Sequence, residues 1–221
     1  MTGLALLRGL LEWMPRSATW VGILAGPLVL VGYAVGALPF DRLAPRIRPE
    51  VRQTAAVAAV AAGATLLVAT FAWDLAHAAA PRGTASAVGF YANQILPAWA
   101  SVALWTGMGA VLGHMAPIWR GFRGGSGVPP AVVLLAAYAP LVLLVGIAVF
   151  CLARMTGAGP RVALLVALPA AVTYEYLAWI GDWQAGWGLT NGPELGLWVA
   201  ALAVALGARN ARSTQPAQVR P

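Results

Sequence analysis

The sequence predicts an all-α integral membrane protein of about seven short or tilted transmembrane helices, and three observations carry that prediction. Of the 221 residues, 60% are apolar and 10% are charged, whereas soluble domains devote about a quarter of their residues to charge. Mean hydropathy is +0.76. Several apolar runs reach the roughly 20 residues that cross a bilayer as a helix, and arginines collect between those runs. Residues 1–208 read as a single polytopic membrane domain, and 209–221 as a polar cytoplasmic tail.

The first apolar run, LALLRGLLEW, is interrupted by Arg8 and Glu12, with no small-residue cleavage pattern after it. Leu4, Leu7, Leu11 and Met14 share one side, so residues 1–16 read as a short helix lying on the membrane surface. Spans follow at 18–40, 54–73, 97–119, 161–181 and 193–208. The loop DRLAPRIRPEVR after the first span holds Arg42, Arg46, Arg48 and Arg52, the densest basic cluster in the chain. Basic loops stay in the cytoplasm, which puts the N-terminus outside. Two more crossings bring Arg120 and Arg123 back to the cytoplasmic side.

Segment 129–153 breaks the regular count. Pro140 divides it into VPPAVVLLAAYA and PLVLLVGIAVFCLA, each too short for a perpendicular span. A proline-broken helical hairpin that enters and returns keeps Arg154 and Arg161 cytoplasmic. Every arginine-bearing loop from residue 42 onwards, except that of Arg82, then lies on one side. The opposite side receives Asp74, His77, Asp182, Glu194 and the loop WIGDWQAGWG, whose Trp179, Trp183 and Trp187 suit an interfacial belt.

Composition also narrows the chemistry. The net charge of +7 rests on 14 arginines and no lysine, and in so apolar a chain it speaks for topology rather than for nucleic acid. Cys151 lies in an apolar run, has no partner for an internal disulfide, and reads as a packed thiol. Two histidines 37 positions apart make no metal-ligand cluster. His77 sits three residues after Asp74, which puts the two on one helix face as an Asp–His pair or a polar helix end.

The richest stretch is GHMAPIWRGFRGGSGV at 113–128. Its glycines let backbone amides turn toward an anion, with Arg123 and Arg120 as charge partners. The Lys-Ser/Thr ending of a Walker A loop is missing, and composition alone favours a flexible turn over a phosphate site. His114, at a span end, is either a hydrogen-bonded structural residue or a base.

The spacing of this stretch resembles the glycine-loop signature of the PlsY family, the bacterial membrane acyl-phosphate:glycerol-3-phosphate acyltransferases. Gly113, His114, Pro117, Phe122, Arg123, Gly124, Gly125, Gly127 and Val128 fall in register without a gap. VGALPFDRL at 35–43 resembles the family's Gly-Ser-Ile-Pro-Phe motif, and FAWDLAHAAAP matches another stretch at Asp74, Ala79 and Pro81. Several positions depart from the pattern. The first-motif serine is Ala37, and the loop lysine is Ser126. An asparagine-containing motif has no counterpart between Pro49 and Ala64, and the closing basic segment is reduced to GARNAR with Asn210.

The resemblance implies helices around a cytoplasm-facing cavity, and transfer of an acyl group from acyl phosphate to glycerol-3-phosphate within phospholipid synthesis. It implies no metal and no bound cofactor, with membrane lipids as surroundings. Carried onto this chain, it suggests phosphate binding by Arg120, Arg123, Gly124, Gly125, Ser126, Gly127 and Arg154, with Arg42 and Arg46 at the entrance. His114 and Ser126 are the candidates for a catalytic part. The departures leave a second reading, a catalytically degenerate homologue acting as a lipid- or partner-binding subunit. Broken helices suggest a third, a small-solute permease.

Overall fold

The structure, a computed structural model, describes residues 18–40, 50–79, 98–181, 183, 188–189 and 192–212. Among these residues there are seven α-helices and no strand. They are α1 (Ala18–Gly36), α2 (Glu50–Ala79), α3 (Ala98–Met115), α4 (Val128–Tyr138), α5 (Pro140–Met155), α6 (Pro160–Ile180) and α7 (Pro193–Arg212), with a 3-10 turn at Ile118–Arg120. The expected surface helix at 1–16 and the loop carrying Arg42, Arg46 and Arg48 lie outside the described residues.

The spans match the predicted ones with shifted ends. α2 runs 30 residues, longer than expected, because alanine-rich sequence continues past Trp73 with nothing to stop a helix. α3 stops at Met115, since Pro117 cannot continue the hydrogen-bond ladder. α7 extends four residues beyond the predicted boundary at 208, so Arg209 and Asn210 belong to its last turn rather than to a tail.

Two pairs of glycines build the closest contact in the bundle. A methyl group added at Gly32 would strike the Thr106 carbonyl, and one at Gly36 would strike that of Ala110. In return, Gly109 faces the carbonyl of Val29, and Gly113 that of Tyr33. Residue numbers rise together on both helices, so α1 and α3 run parallel, as two helices separated by one intervening crossing must. Small residues four apart let membrane helices approach backbone to backbone, where dispersion replaces the missing hydrophobic drive. α2 packs against both helices and against α4.

The second half is a chain of antiparallel neighbours. α5 and α6 pack along their length through a turn at 156–159, and α6 packs on α7. Gly196 of α7 lies level with Glu175, and Gly207 lies level with Leu168 and Leu165. Trp198 is fully buried and donates its indole N–H to the Leu104 carbonyl at 2.9 Å, which pins α7 to α3.

Ala139 is the break between α4 and α5, with φ −140 and ψ 63, because the residue before a proline is kept out of the helical region. Pro129 and Pro130 occupy the first turn of α4, where no intrahelical amide is needed. Leu189, just before α7, donates its amide to the Tyr138 carbonyl at 2.8 Å. The break therefore lies toward the end where α6 passes into α7, and Arg154 lies at the opposite end with the start of α6. α4 enters from that opposite end and α5 returns to it, the arrangement expected of a broken hairpin.

Cys151 differs from expectation. It is exposed on α5, because α5 packs chiefly on α6 and leaves a wide outer face uncovered. On the far side, His77 is exposed and packs edge-on against Trp99 with ring centroids 4.9 Å apart.

The glycine contact gives a test. Gly36→Ala or Gly113→Ala places a methyl group against backbone and is expected to destabilise by about 1–3 kcal/mol. Gly63→Ala, where nothing lies within 4 Å, should be neutral or stabilise by up to about 1 kcal/mol. Thermal unfolding in one detergent should lower the midpoint for the first two and not for the third.

Candidate functional site

The parallel packing of α1 and α3 brings two distant stretches of sequence to one end of the bundle. α1 ends at Gly36, and Ala37 follows with its amide on the Tyr33 carbonyl at 2.9 Å. Phe40 is buried and its ring lies 6.1 Å from that of His114. The Tyr33 hydroxyl donates to the Ala116 carbonyl at 2.6 Å. The first motif and the start of the glycine loop are thus directly joined.

Beyond α3 the chain makes a tight turn and comes back. Arg120 and Phe122 both donate amides to the Pro117 carbonyl, at 3.1 and 3.0 Å. Gly121 and Phe122 both have left-handed φ values, 59 and 61, which is unusual for a phenylalanine. The returning chain then meets the end of α3. Gly124 donates its amide to the Met115 carbonyl at 3.1 Å, and Gly125 donates to that of His114 at 2.9 Å.

These two bonds change the expected role of the glycines. The last carbonyls of a helix have no intrahelical partner, and here the loop amides supply the missing donors. The amides of Gly124 and Gly125 are therefore engaged in capping α3 rather than turned toward an anion. Gly125 also lies so close to the His114 ring that a methyl group there would collide with it. Glycine is required at 125 for approach, and His114 forms part of the wall against which the loop rests.

The loop carbonyls are engaged as well, by residues that the sequence assigns to a polar tail. Arg209 donates Nε to the Gly125 carbonyl at 3.2 Å and Nη2 to the Gly124 carbonyl. Asn210 donates Nδ2 to the Leu206 carbonyl at 2.8 Å and, more weakly, to the Ser126 carbonyl at 3.4 Å. The missed signal was the unbroken apolar run into GARNAR, which lets α7 continue through both residues.

Arg120, Arg123 and Ser126 are exposed on the loop, and the Ser126 hydroxyl accepts a long bond from the Val128 amide at 3.4 Å. Gly127 is buried, with φ 77, and packs on Met115 and Leu206 as α4 begins. Arg154 donates to the Ala158 carbonyl at 2.6 Å, which ties it to the turn after α5. Ala37 is buried at 1% exposure beside Gly113. Arg42 and Arg46 lie outside the described residues. Glu175 of α6 is buried beside Gly196 of α7.

The arrangement offers a loop tied to α3 through Gly124 and Gly125 and to α7 through Arg209 and Asn210, with the Arg120, Arg123 and Ser126 side chains exposed. If Arg209 holds the loop, Arg209→Ala should speed tryptic cleavage after Arg120 and Arg123 by roughly tenfold, the effect of losing about 1.4 kcal/mol of restraint. Arg209→Lys, which keeps charge but loses the two-pronged geometry, should fall between. Digestion of the intact protein in membranes, followed by peptide mass analysis, reads the difference.

The family model described as glycerol-3-phosphate acyltransferase matches residues 27–213. A glycerol-3-phosphate acyltransferase of Pseudomonas fluorescens is 32% identical over 160 residues, covering 69% of this chain and 79% of its own. One from Rhodopseudomonas palustris is 34% identical, with 73% and 80% covered. A crystal structure of PlsY, an integral membrane glycerol 3-phosphate acyltransferase in its glycerol 3-phosphate form, superposes with a TM-score of 0.55 at 19% identity. That likeness covers 86% of this chain and 89% of the other, and it extends to the fold. With its two joined motifs, its broken hairpin and a match along most of its length, the chain belongs to the glycerol-3-phosphate acyltransferase family.

Proposed function

We propose that this protein transfers a fatty acyl group from acyl phosphate to glycerol-3-phosphate, or to a closely related polyol phosphate, at the cytoplasmic face of the membrane. The observation that supports the reading most directly is the glycine loop, held rigid between α3 and α7 and joined to the end of α1. Its exposed arginines sit at the end of the bundle that also carries Arg154 and Arg161.

The reaction asks little of a nucleophilic side chain. The acceptor hydroxyl oxygen attacks the acyl carbonyl carbon, the bond from that carbon to the phosphate oxygen breaks, and inorganic phosphate leaves. The hydroxyl proton passes to the departing phosphate or to solvent. Acyl phosphate is already activated, so positioning and charge stabilisation supply much of the barrier reduction. In this proposal Arg123 and Arg120 hold phosphate, Ser126 donates its hydroxyl, and Arg154 adds charge at the same end. His114 orients the loop through its packing with Gly125 and Phe40, and Arg42 and Arg46 stand at the entrance.

The guanidinium of Arg123 takes over part of what a lysine at 126 does elsewhere in the family. Phosphate contacts from arginine are charge-assisted and forked, with a geometry unlike that of an ammonium. A serine at 126 leaves the loop with less charge, which favours a weaker grip on the acceptor.

The test is an assay of purified protein with acyl phosphate and glycerol-3-phosphate, following phosphate release and lysophosphatidic acid together. Activity in both readouts is expected, and no product with any polyol phosphate would sink the enzymatic reading. Arg123→Ala should lower kcat/KM by roughly tenfold to a hundredfold, from the loss of a charged hydrogen bond of about 1.5–3 kcal/mol. Ser126→Lys, which puts a cation back at that position, should raise kcat/KM with glycerol-3-phosphate, mainly through a lower KM.

A further inference from the structure

The turn between Pro117 and Gly124 carries a feature that phosphate binding does not use. Ile118, Trp119 and Phe122 are 61%, 56% and 60% exposed, although they are three of the largest apolar side chains near the loop. They do not hang from a floppy segment. Four backbone bonds hold the turn, from Arg120 and Phe122 to Pro117, from Gly121 to Ile118 and from Arg123 to Arg120, at 3.0–3.2 Å. Phe122 is held at φ 61, a strained conformation for a residue with a side chain. The turn therefore presents its apolar side chains outward by construction.

Position decides what covers them. Ile118 lies three residues beyond the end of α3 at Met115, so it can be no more than about 11 Å away. The loop then folds back, since Gly124 bonds to Met115 itself. The headgroup layer extends about 5–8 Å beyond the hydrocarbon on each side of a bilayer. Ile118 on one side of the turn, and Phe122 two residues before Gly124 on the other, are thus within reach of that layer where α3 ends at the hydrocarbon boundary. Tryptophan and other aromatic rings are enriched at this depth, and Arg120 and Arg123, which alternate with the apolar residues, match an anionic surface.

We propose that Ile118, Trp119 and Phe122 form an interfacial anchor that inserts into the headgroup–acyl boundary of an anionic leaflet and holds the glycine loop at the bilayer surface. The anchor does not depend on acyl transfer, and it stands whether or not the protein turns over substrate. Its consequence for the loop is positional: an acyl chain lying in the leaflet would present its polar end at the level of Arg123 without leaving the membrane.

The test uses the full chain reconstituted in vesicles of mixed zwitterionic and anionic phospholipid. Trp119→Cys and Phe122→Cys are each made with Cys151→Ala, because Cys151 is exposed and would also label. Each new thiol carries an environment-sensitive fluorophore, and helical content checks that both variants fold. Quenching by lipids spin-labelled near the headgroup is expected, together with at least about threefold less quenching by aqueous iodide than for the free dye, as interfacial burial requires. Iodide access should increase in purely zwitterionic vesicles. Labels at both sites quenched by iodide like the free dye, and untouched by spin-labelled lipid, would overturn the anchor and leave the surface to a water-borne partner. Equal burial in both lipid mixtures would overturn the preference for an anionic leaflet.

Discussion

The backbone contact between α1 and α3 is the constraint from which the rest of the structure follows. Gly32 and Gly36 face Thr106 and Ala110, while Gly109 and Gly113 face Val29 and Tyr33. No side chain fits between these backbones, so the register of the two helices is set by collision rather than by adjustable packing. That register delivers Phe40 to His114 and the Tyr33 hydroxyl to Ala116. A slip of one turn would displace one motif from the other by about 5 Å, and the site would come apart without any change in its residues.

The glycine loop is a solution to the end of α3 before it is anything else. Helix carbonyls at a C-terminus need donors, and the loop returns to supply them from Gly124 and Gly125. Its own carbonyls then need donors, and α7 supplies those from Arg209 and Asn210. Two helices, α3 and α7, meet on the loop in this exchange of hydrogen bonds, and the loop is left with little freedom. Rigidity of that kind is what positioning chemistry needs, because a group held in place loses little further entropy on meeting its substrate. The amides of Gly124 and Gly125 are engaged in this cap and are therefore not turned toward an anion.

The broken hairpin follows from the same economy of backbone bonding. Pro140 denies Ala139 a helical conformation, and an interrupted ladder at membrane depth is tolerated where protein covers it. Leu189 covers it here, through its bond to the Tyr138 carbonyl. The hairpin returns the chain to the end it came from, which gathers Arg154, Arg161, Arg209 and the loop arginines at one end of the bundle.

The membrane class, the number of helices, the break before Pro140 and the register of the glycine stretch with its family were all legible in the residues themselves. They depend on local quantities: hydropathy over a span, the geometry of proline, and spacing within a short motif. Tertiary structure alone decided the remainder. It placed Arg209 and Asn210 against a loop more than 80 residues away, exposed Cys151, and turned the glycine amides inward. No local pattern reports which donor will meet an orphaned carbonyl, because that depends on which helix ends arrive together. The sequence determined that a glycine loop would follow α3, and packing decided that it would close on the helix it had just left.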